Sequence, residues 1–339
     1  MTFILLTAVK VVAFCMVFAL SLGAILTWAE RKMSALIQDR VGPNRASLLG
    51  VRAFGLMHPI ADAVKAFTKE DYVPAGANRW LFLTAPALAM VPPLVVFAVV
   101  PFGPGLVIAP LDTGMLFVFA ILGLGVYGAV LGGWSSDNSL ALLGSLRAAA
   151  QMVSYEVSMG LNVVGVFAVF GTVSLTQIVV AQGELLWGLV PKWGIVVQPL
   201  GFVLFLAAAM AENKRAPFDL PEGESEIVGY HVEYSSMRFA MFFLAEFVEV
   251  VVVAAIGATL FLGGWQIPWL DPRGQAGGGV MLAQVGAFVA KVVFLCWLQL
   301  LIRWTLPRFR YDQVMTLGWK YLLPLSFANI VVTAVVLAA

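Results

Sequence analysis

Positions 239–263 read FAMFFLAEFVEVVVVAAIGATLFLG. A hydrocarbon core about 30 Å thick takes roughly 20 apolar residues when it is crossed by a helix. This run is long enough to cross, and its only charges are Glu246 and Glu249. Residues three apart share one face of a helix. Working outward, seven more stretches of this kind occupy about 3–29, 80–101, 114–134, 148–170, 194–211, 280–302 and 316–338. The chain is 61% hydrophobic and 12% charged, against about 25% charged in an average soluble domain. A soluble fold would have to hide more apolar surface than 339 residues enclose. The sequence therefore predicts an all-α integral membrane protein, with eight transmembrane helices in a single transmembrane domain over 1–339.

Other classes drop out quickly. The net charge of +1 offers nothing to a nucleic acid. Cys15 and Cys296 lie far apart in apolar runs without a CxxC, so neither a cluster, a zinc site nor a disulfide framework is indicated. The first apolar run lacks a basic segment before it and is too long for a signal peptide, so it reads as a retained span. Pro86, Pro92 and Pro93 predict kinks in the second span.

Loop charge gives an orientation. The loops after spans one, three, five and seven hold 15 Lys and Arg residues, and those after two, four and six hold 2. The positive-inside rule puts the first set in the cytoplasm and both termini on the periplasmic or outer side. An acidic loop at 212–238 is then cytoplasmic. The long loop after span one contains an expected in-plane amphipathic helix over about 54–69. His58, Asp62, Lys65 and Lys69 make its polar stripe, with Leu56, Ile60, Val64 and Phe67 opposite. Pro59 is tolerated only in the first helical turn, which favours a start there.

Two motifs need weighing. GLGVYG (123–128) matches a dinucleotide fingerprint, but it sits inside an apolar span with no strand before it. Close helix packing by small residues explains it better. FDLPEGESE (218–226) gathers Asp219, Glu222, Glu224 and Glu226 within nine residues. Ligation of Mg²⁺ or Ca²⁺, a solvated acidic loop, and a folded, half-buried loop all suit that composition. Pro217, Phe218, Leu220, Ile227 and Val228 among the acids favour the last, where packed like charges raise one another's pKa.

Ionisable residues within spans mark ion or substrate paths, because each is costly to insert. Glu156 lies mid-span beside Tyr155, with no basic residue within a turn. Lys291 is at the centre of the seventh span, Glu246 and Glu249 share a face of the sixth, and Glu212 closes the fifth. Glu30 and Asp137 lie at cytoplasmic ends, where Glu30 adjoins Arg31 and Lys32 as a local ion-pairing partner. A mid-membrane carboxylate balanced between burial and a nearby cation could exchange protons near neutral pH.

Four segments carry a resemblance: AERKMSALIQDRVGPNR (29–45), GLMHPIADAVKAFTKED (55–71), SYEVSMGL (154–161) and AENKRAPFDLPEGESEIVGYHVEYSSMRFAMFFLAEF (211–247). In this order they resemble the H-type membrane subunit of proton-pumping NADH:quinone oxidoreductase, respiratory complex I, whose mitochondrial counterpart is NADH dehydrogenase subunit 1. The resemblance spans essentially the whole chain. It implies a subunit joining membrane and peripheral arms in a bacterial inner membrane, or an organellar one. It implies a quinone chamber near Glu30, Arg31, Arg45 and Asp62, walled by Phe218, Glu222, Glu224 and Glu226. It implies a proton relay drawn from Asp137, Glu156, Glu212, Glu246, Glu249 and Lys291. Quinone would be a substrate; NADH, FMN and iron–sulfur clusters would lie on peripheral partner subunits, with small membrane-arm subunits alongside. His58 departs from the pattern, standing where many relatives carry Gln.

Rival readings from other classes are a proton-coupled transporter and a passive anchor of a hydrogenase-like complex. A transporter should show paired, internally repeated broken helices, and none is visible in this sequence.

Overall fold

The computed structural model describes residues 2–47, 50, 52–186, 188–221, 223, 227, 229–270 and 278–338. Among these, seven helices are long and apolar enough to cross a membrane. They are α1 (Leu6–Ile37), α3 (Arg79–Val96), α4 (Gly114–Trp134), α5 (Ser139–Phe170), α9 (Ser236–Phe261), α10 (Gly278–Thr305) and α11 (Tyr311–Ala338). Shorter helices lie between them: α2 (His58–Thr68), α6 (Leu175–Gln182), α7 (Gly194–Val197) and α8 (Pro199–Glu212). A two-residue hairpin, β1 (Leu185–Leu186) with β2 (Val190–Pro191), is the sole sheet among the described residues.

Local chemistry sets the helix ends. The side chains of Asn78 and Asn138 accept from Leu81 N and Leu140 N, capping α3 and α5. Gly171 ends α5 in the left-handed region at φ 67°, where glycine carries no steric cost. Helix α3 stops at Val96, short of the apolar stretch that continues to 101. Pro92 and Pro93 remove two backbone donors from its last turns. Apart from half-buried Ala98, the chain beyond stays buried through Phe102, whose ring stacks on Phe14 at 4.0 Å. Helix α2 begins at His58 rather than 54, with Pro59 in its first turn. Its Ile60, Val64 and Phe67 are exposed, an apolar stripe suited to an interface plane.

The core is organised around α9. Every residue from Phe247 to Phe261 is buried, which is why the run is apolar all round rather than on one stripe. Helices α1, α2, α3 and α10 pack against it. The other strong pairings are α3 with α4, α4 with α5, and α5 with α8 and α11. The GLGVYG segment lies in the middle of α4. A Cβ on Gly128 would sit 2.6 Å from Ala89 N, so α3 and α4 touch backbone to backbone there.

A buried ion-pair network and two clefts

Helix α8 ends at Glu212 in a tight turn, where Lys214 adopts a left-handed φ of 54°. This turn carries Lys214 and Arg215 inward, and both are buried. Arg215 donates from Nη1 to Glu30 Oε2 at 2.8 Å and pairs through Nη2 with Glu246 Oε2 at 3.5 Å. Its guanidinium carbon lies 4.0 Å from the centre of the Phe247 ring, a favourable cation–π geometry. Glu30 also accepts from Arg303 Nη1 at 3.0 Å. Lys214 Nζ pairs with Glu249 Oε2 at 3.5 Å. Farther along the loop, Asp219 Oδ2 accepts from Arg308 Nη2 at 2.6 Å.

Burial and pairing act against each other here. Burial pulls the Lys214 ammonium down, but Glu249, Tyr230 and Glu246 together hold it above the ordinary lysine range. Burial lifts the Asp219 carboxyl above the usual carboxylate range, even against Arg308. Isolated charges in such surroundings would be very costly. The pairing explains how a chain this apolar holds so many of them.

Two clefts adjoin the network. Arg31 Nη2 and Asp62 Oδ2, 2.8 Å apart, tie α1 to the in-plane helix α2. On one side, a cleft of 460 Å³ is lined by Asp62, Lys65, Tyr234, Phe239, Ala240 and Phe243, among others. On the other, a cleft of 520 Å³ is lined by Glu30, Arg40, Gly42, His58 and Trp304. Arg31 lines both. Ser236 Oγ donates to Ala66 O at 2.8 Å and Arg238 pairs with Asp71 at 3.1 Å, so α2 is strapped to the start of α9.

Inward from Lys214, Glu212 and Glu249 share a small cavity with Leu122, Met152, Asn213 and Val253. Glu156 is half-buried one turn along from Met152 and stands beside Gly123, where a Cβ would lie 3.4 Å from its Oε1. Carboxylates therefore run from the Arg31–Asp62 clefts through Glu30, Glu246, Glu249 and Glu212 toward Glu156.

Other sequence-selected residues fall elsewhere. Phe218 is buried, 5.7 Å from the Tyr155 ring and 5.5 Å from Phe309. Arg45 is exposed and makes no ion pair among the described residues. Asp137 is exposed in the turn after α4, against Gly76. Lys291 pairs with neither Glu156 nor the Glu246/Glu249 face. It donates to Gly264 O at 2.9 Å and Gln266 O at 2.6 Å and lies 4.3 Å from the Trp193 ring centre. Glu222, Glu224 and Glu226 lie outside the described residues. Lys214, Arg215, Arg303 and Arg308 enter the sequence reading only as loop charges. The signal that could have promoted them was Lys214-Arg215 directly after a span that closes on Glu212, with two further acids on α9.

Among the described residues, no group of three or more His, Cys, Asp or Glu is arranged to hold a metal. Fold and site together define a multi-pass helical membrane protein with a charged interior. A family model described as NADH dehydrogenase matches residues 9–334. The chain is 46% identical over 328 residues to the first H-type subunit of NADH-quinone oxidoreductase from Geobacter metallireducens, covering 94% of this chain and 92% of that one. It is 47% identical over 324 residues to the second H-type subunit of the same enzyme from Syntrophobacter fumaroxidans, covering 93% and 91%. It is 44% identical over 331 residues to NADH-quinone oxidoreductase subunit 8 of Rhodothermus marinus, covering 95% of each. The chain belongs to the NADH dehydrogenase family, alongside the membrane subunits of NADH-quinone oxidoreductase.

Proposed function

We propose that this chain forms the quinone-access chamber of a proton-translocating NADH-quinone oxidoreductase and couples quinone reduction to proton movement through its buried carboxylates. The observation that carries this reading is the unbroken run of charged groups from the Arg31–Asp62 clefts to Glu212 and Glu249. The 460 Å³ cleft pairs the apolar walls Phe239 and Phe243 with a polar rim, which suits an amphiphile with an isoprenoid tail and a polar ring. The acids of FDLPEGESE complete the chamber wall in this reading. Quinone reduction takes up two electrons and two protons. A unit charge 4 Å from a carboxylate is worth about 4 kcal/mol at an effective dielectric near 20, enough to switch a poised group. The chain's part is to hold those acids at the edge of protonation and pass the shift inward. Electrons arrive from peripheral partners carrying NADH, FMN and iron–sulfur sites.

In the same reading the fifth span is α7 with α8. Helix α8 has 14 residues, or about 21 Å, short of the hydrocarbon thickness. Adding α7 extends the crossing back to Gly194, which makes eight spans with both termini on the outer side. Purification in mild detergent tests the proposal. Flavin, iron–sulfur clusters and quinone should accompany the chain; recovery as a homo-oligomer without them would overturn it.

A further inference from the structure

We propose that Gln151 is the positioning residue that locks the turn bearing Lys214, Arg215 and Asp219 to the helix bearing Glu156. The proposal rests on reading the ion-pair network as a proton relay. Gln151 lies on α5, one turn before Tyr155 and Glu156, and is 0% exposed. Its Nε2 spends both hydrogens on main-chain carbonyls: Ala211 O at 2.6 Å and Phe218 O at 2.7 Å. The first is an end-of-helix carbonyl of α8, of the kind that a helix terminus leaves without a full set of donors. The second closes the loop. One amide therefore ties the two ends of the 211–218 turn into a ring. The orientation is forced, because a reversed amide would face two carbonyl oxygens with a third. Among the described residues, Gln151 Oε1 has no hydrogen-bond partner.

Besides Asn213 Nδ2, which donates to Gln299 Oε1 at 3.2 Å, and Pro217 O, which accepts from Phe309 N at 3.0 Å, the other polar ties from this turn to other elements involve a charge. Lys214 holds Glu249, Arg215 holds Glu30 and Glu246, and Asp219 holds Arg308. Those ties weaken or strengthen as protons and electrons arrive. The Gln151 amide does not titrate, so it keeps its strength throughout. Below it, the Tyr155 ring meets Phe218 at 5.7 Å, while its hydroxyl donates to Val314 O at 2.7 Å and ties α5 to α11. A shift of the turn must either break both Gln151 bonds or carry α5, and Glu156 with it.

The test replaces the amide by a group whose donor depends on pH. In Gln151→Glu, a neutral carboxyl supplies one hydrogen to the two carbonyls, and the ionised form supplies none. The profile is recorded from acid to alkaline pH, across the range in which that carboxyl changes form. Assembled complex is quantified on native gels, and NADH oxidation by an artificial acceptor normalises for the peripheral part. Gln151→Leu should lower quinone-reductase kcat about tenfold at every pH, with KM unchanged, since misplacement far from the chemistry is costly. Gln151→Glu should match wild type at acid pH and fall toward the Leu variant at alkaline pH. Wild-type kcat in both variants, or an equal and pH-independent loss in both, would sink the proposal. Glu156→Gln is measured beside them. If it pumps normally while Gln151→Glu shows the pH-dependent loss, the relay reading fails and the lock stands. If Glu156→Gln stops pumping and the Gln151 variants behave as wild type, the lock alone fails.

Discussion

Arg215 and Glu30 are joined at 2.8 Å across 185 positions of sequence. Their contact brings the turn after α8 to the C-terminal part of α1, with Glu246 of α9 and Arg303 of α10 completing the junction. Four elements thus meet on one guanidinium and one carboxylate. Removing Glu30 leaves Arg215 to Glu246, and removing Arg215 leaves Glu30 to Arg303, each with a largely buried side chain.

Arg215→Leu should therefore be severe. Breaking a buried pair by deleting one partner costs about 3–5 kcal/mol. The expected outcome is little assembled chain, read by immunoblot of membranes and native gels. Adding Glu30→Gln to Arg215→Gln should recover part of the loss, because the two effects couple through one contact. Strict additivity would contradict the direct pairing.

Ala240→Trp should act on access without touching the relay. Ala240 lines the 460 Å³ cleft between α2 and α9. Filling it should raise the KM for a long-tailed quinone several-fold and leave kcat near wild type, the pattern of lost ground-state access. A short-tailed quinone should be less affected. Unchanged KM for both would remove this cleft from the quinone path.

Glu156→Gln should separate pumping from electron transfer. In the proposed relay, this half-buried carboxylate beside Gly123 is the inward end. Proton translocation per quinone reduced should fall, as measured by dye quenching in proteoliposomes. Full pumping at full reductase rate would exclude a relay role.

His231 predicts an acid-side instability. Burial holds its imidazole below the ordinary value, against Glu246 and Asp219, which raise it, and with Lys214 and Arg215, which lower it further. The fold therefore favours the neutral ring. Its contribution is fully present above the unfolded value of about 6.5 and is lost as pH falls through the depressed folded value. Thermal inactivation of the complex should accelerate on acidification below about pH 6.5, and His231→Gln should flatten that part of the profile. An identical profile in the variant would assign the acid sensitivity to other groups.

Helical, membrane-spanning character is legible in the sequence because lipid demands a long apolar run and little else. Span 239–263 announces itself from composition alone. Helix ends are less legible: α3 stops at Val96 although its apolar residues continue, since the prolines act on donors rather than on hydropathy. The site divides in the same way. Glu156, Glu212, Glu246 and Glu249 stand out because a carboxylate in a span is expensive wherever it points. Their cations do not. Arg215 and Arg303 sit in sequences rich in basic residues, and nothing local distinguishes a residue buried on Glu30 from one in water. Lys291 shows the converse. Its mid-span position suggests a carboxylate partner, yet the chain just past a helix end supplies carbonyl oxygens that serve an ammonium as well.

That last arrangement has a twin. Lys10 donates to Gly105 O at 3.2 Å and Val107 O at 2.8 Å, as Lys291 does to Gly264 and Gln266. Both ammonium groups lie at the end of the bundle away from the ion-pair network, and each is solvated by peptide oxygen instead of an acid. Such a cation is a staple, pinning an irregular loop onto a regular helix. It is also electrostatically muted toward the surroundings, since the dipoles that hold it point their negative ends at it. One end of the molecule thus concentrates its charge into side-chain ion pairs. The other holds Lys10 and Lys291 on backbone carbonyls, with a side-chain pair, Lys192 and Glu184, beside them at 3.5 Å.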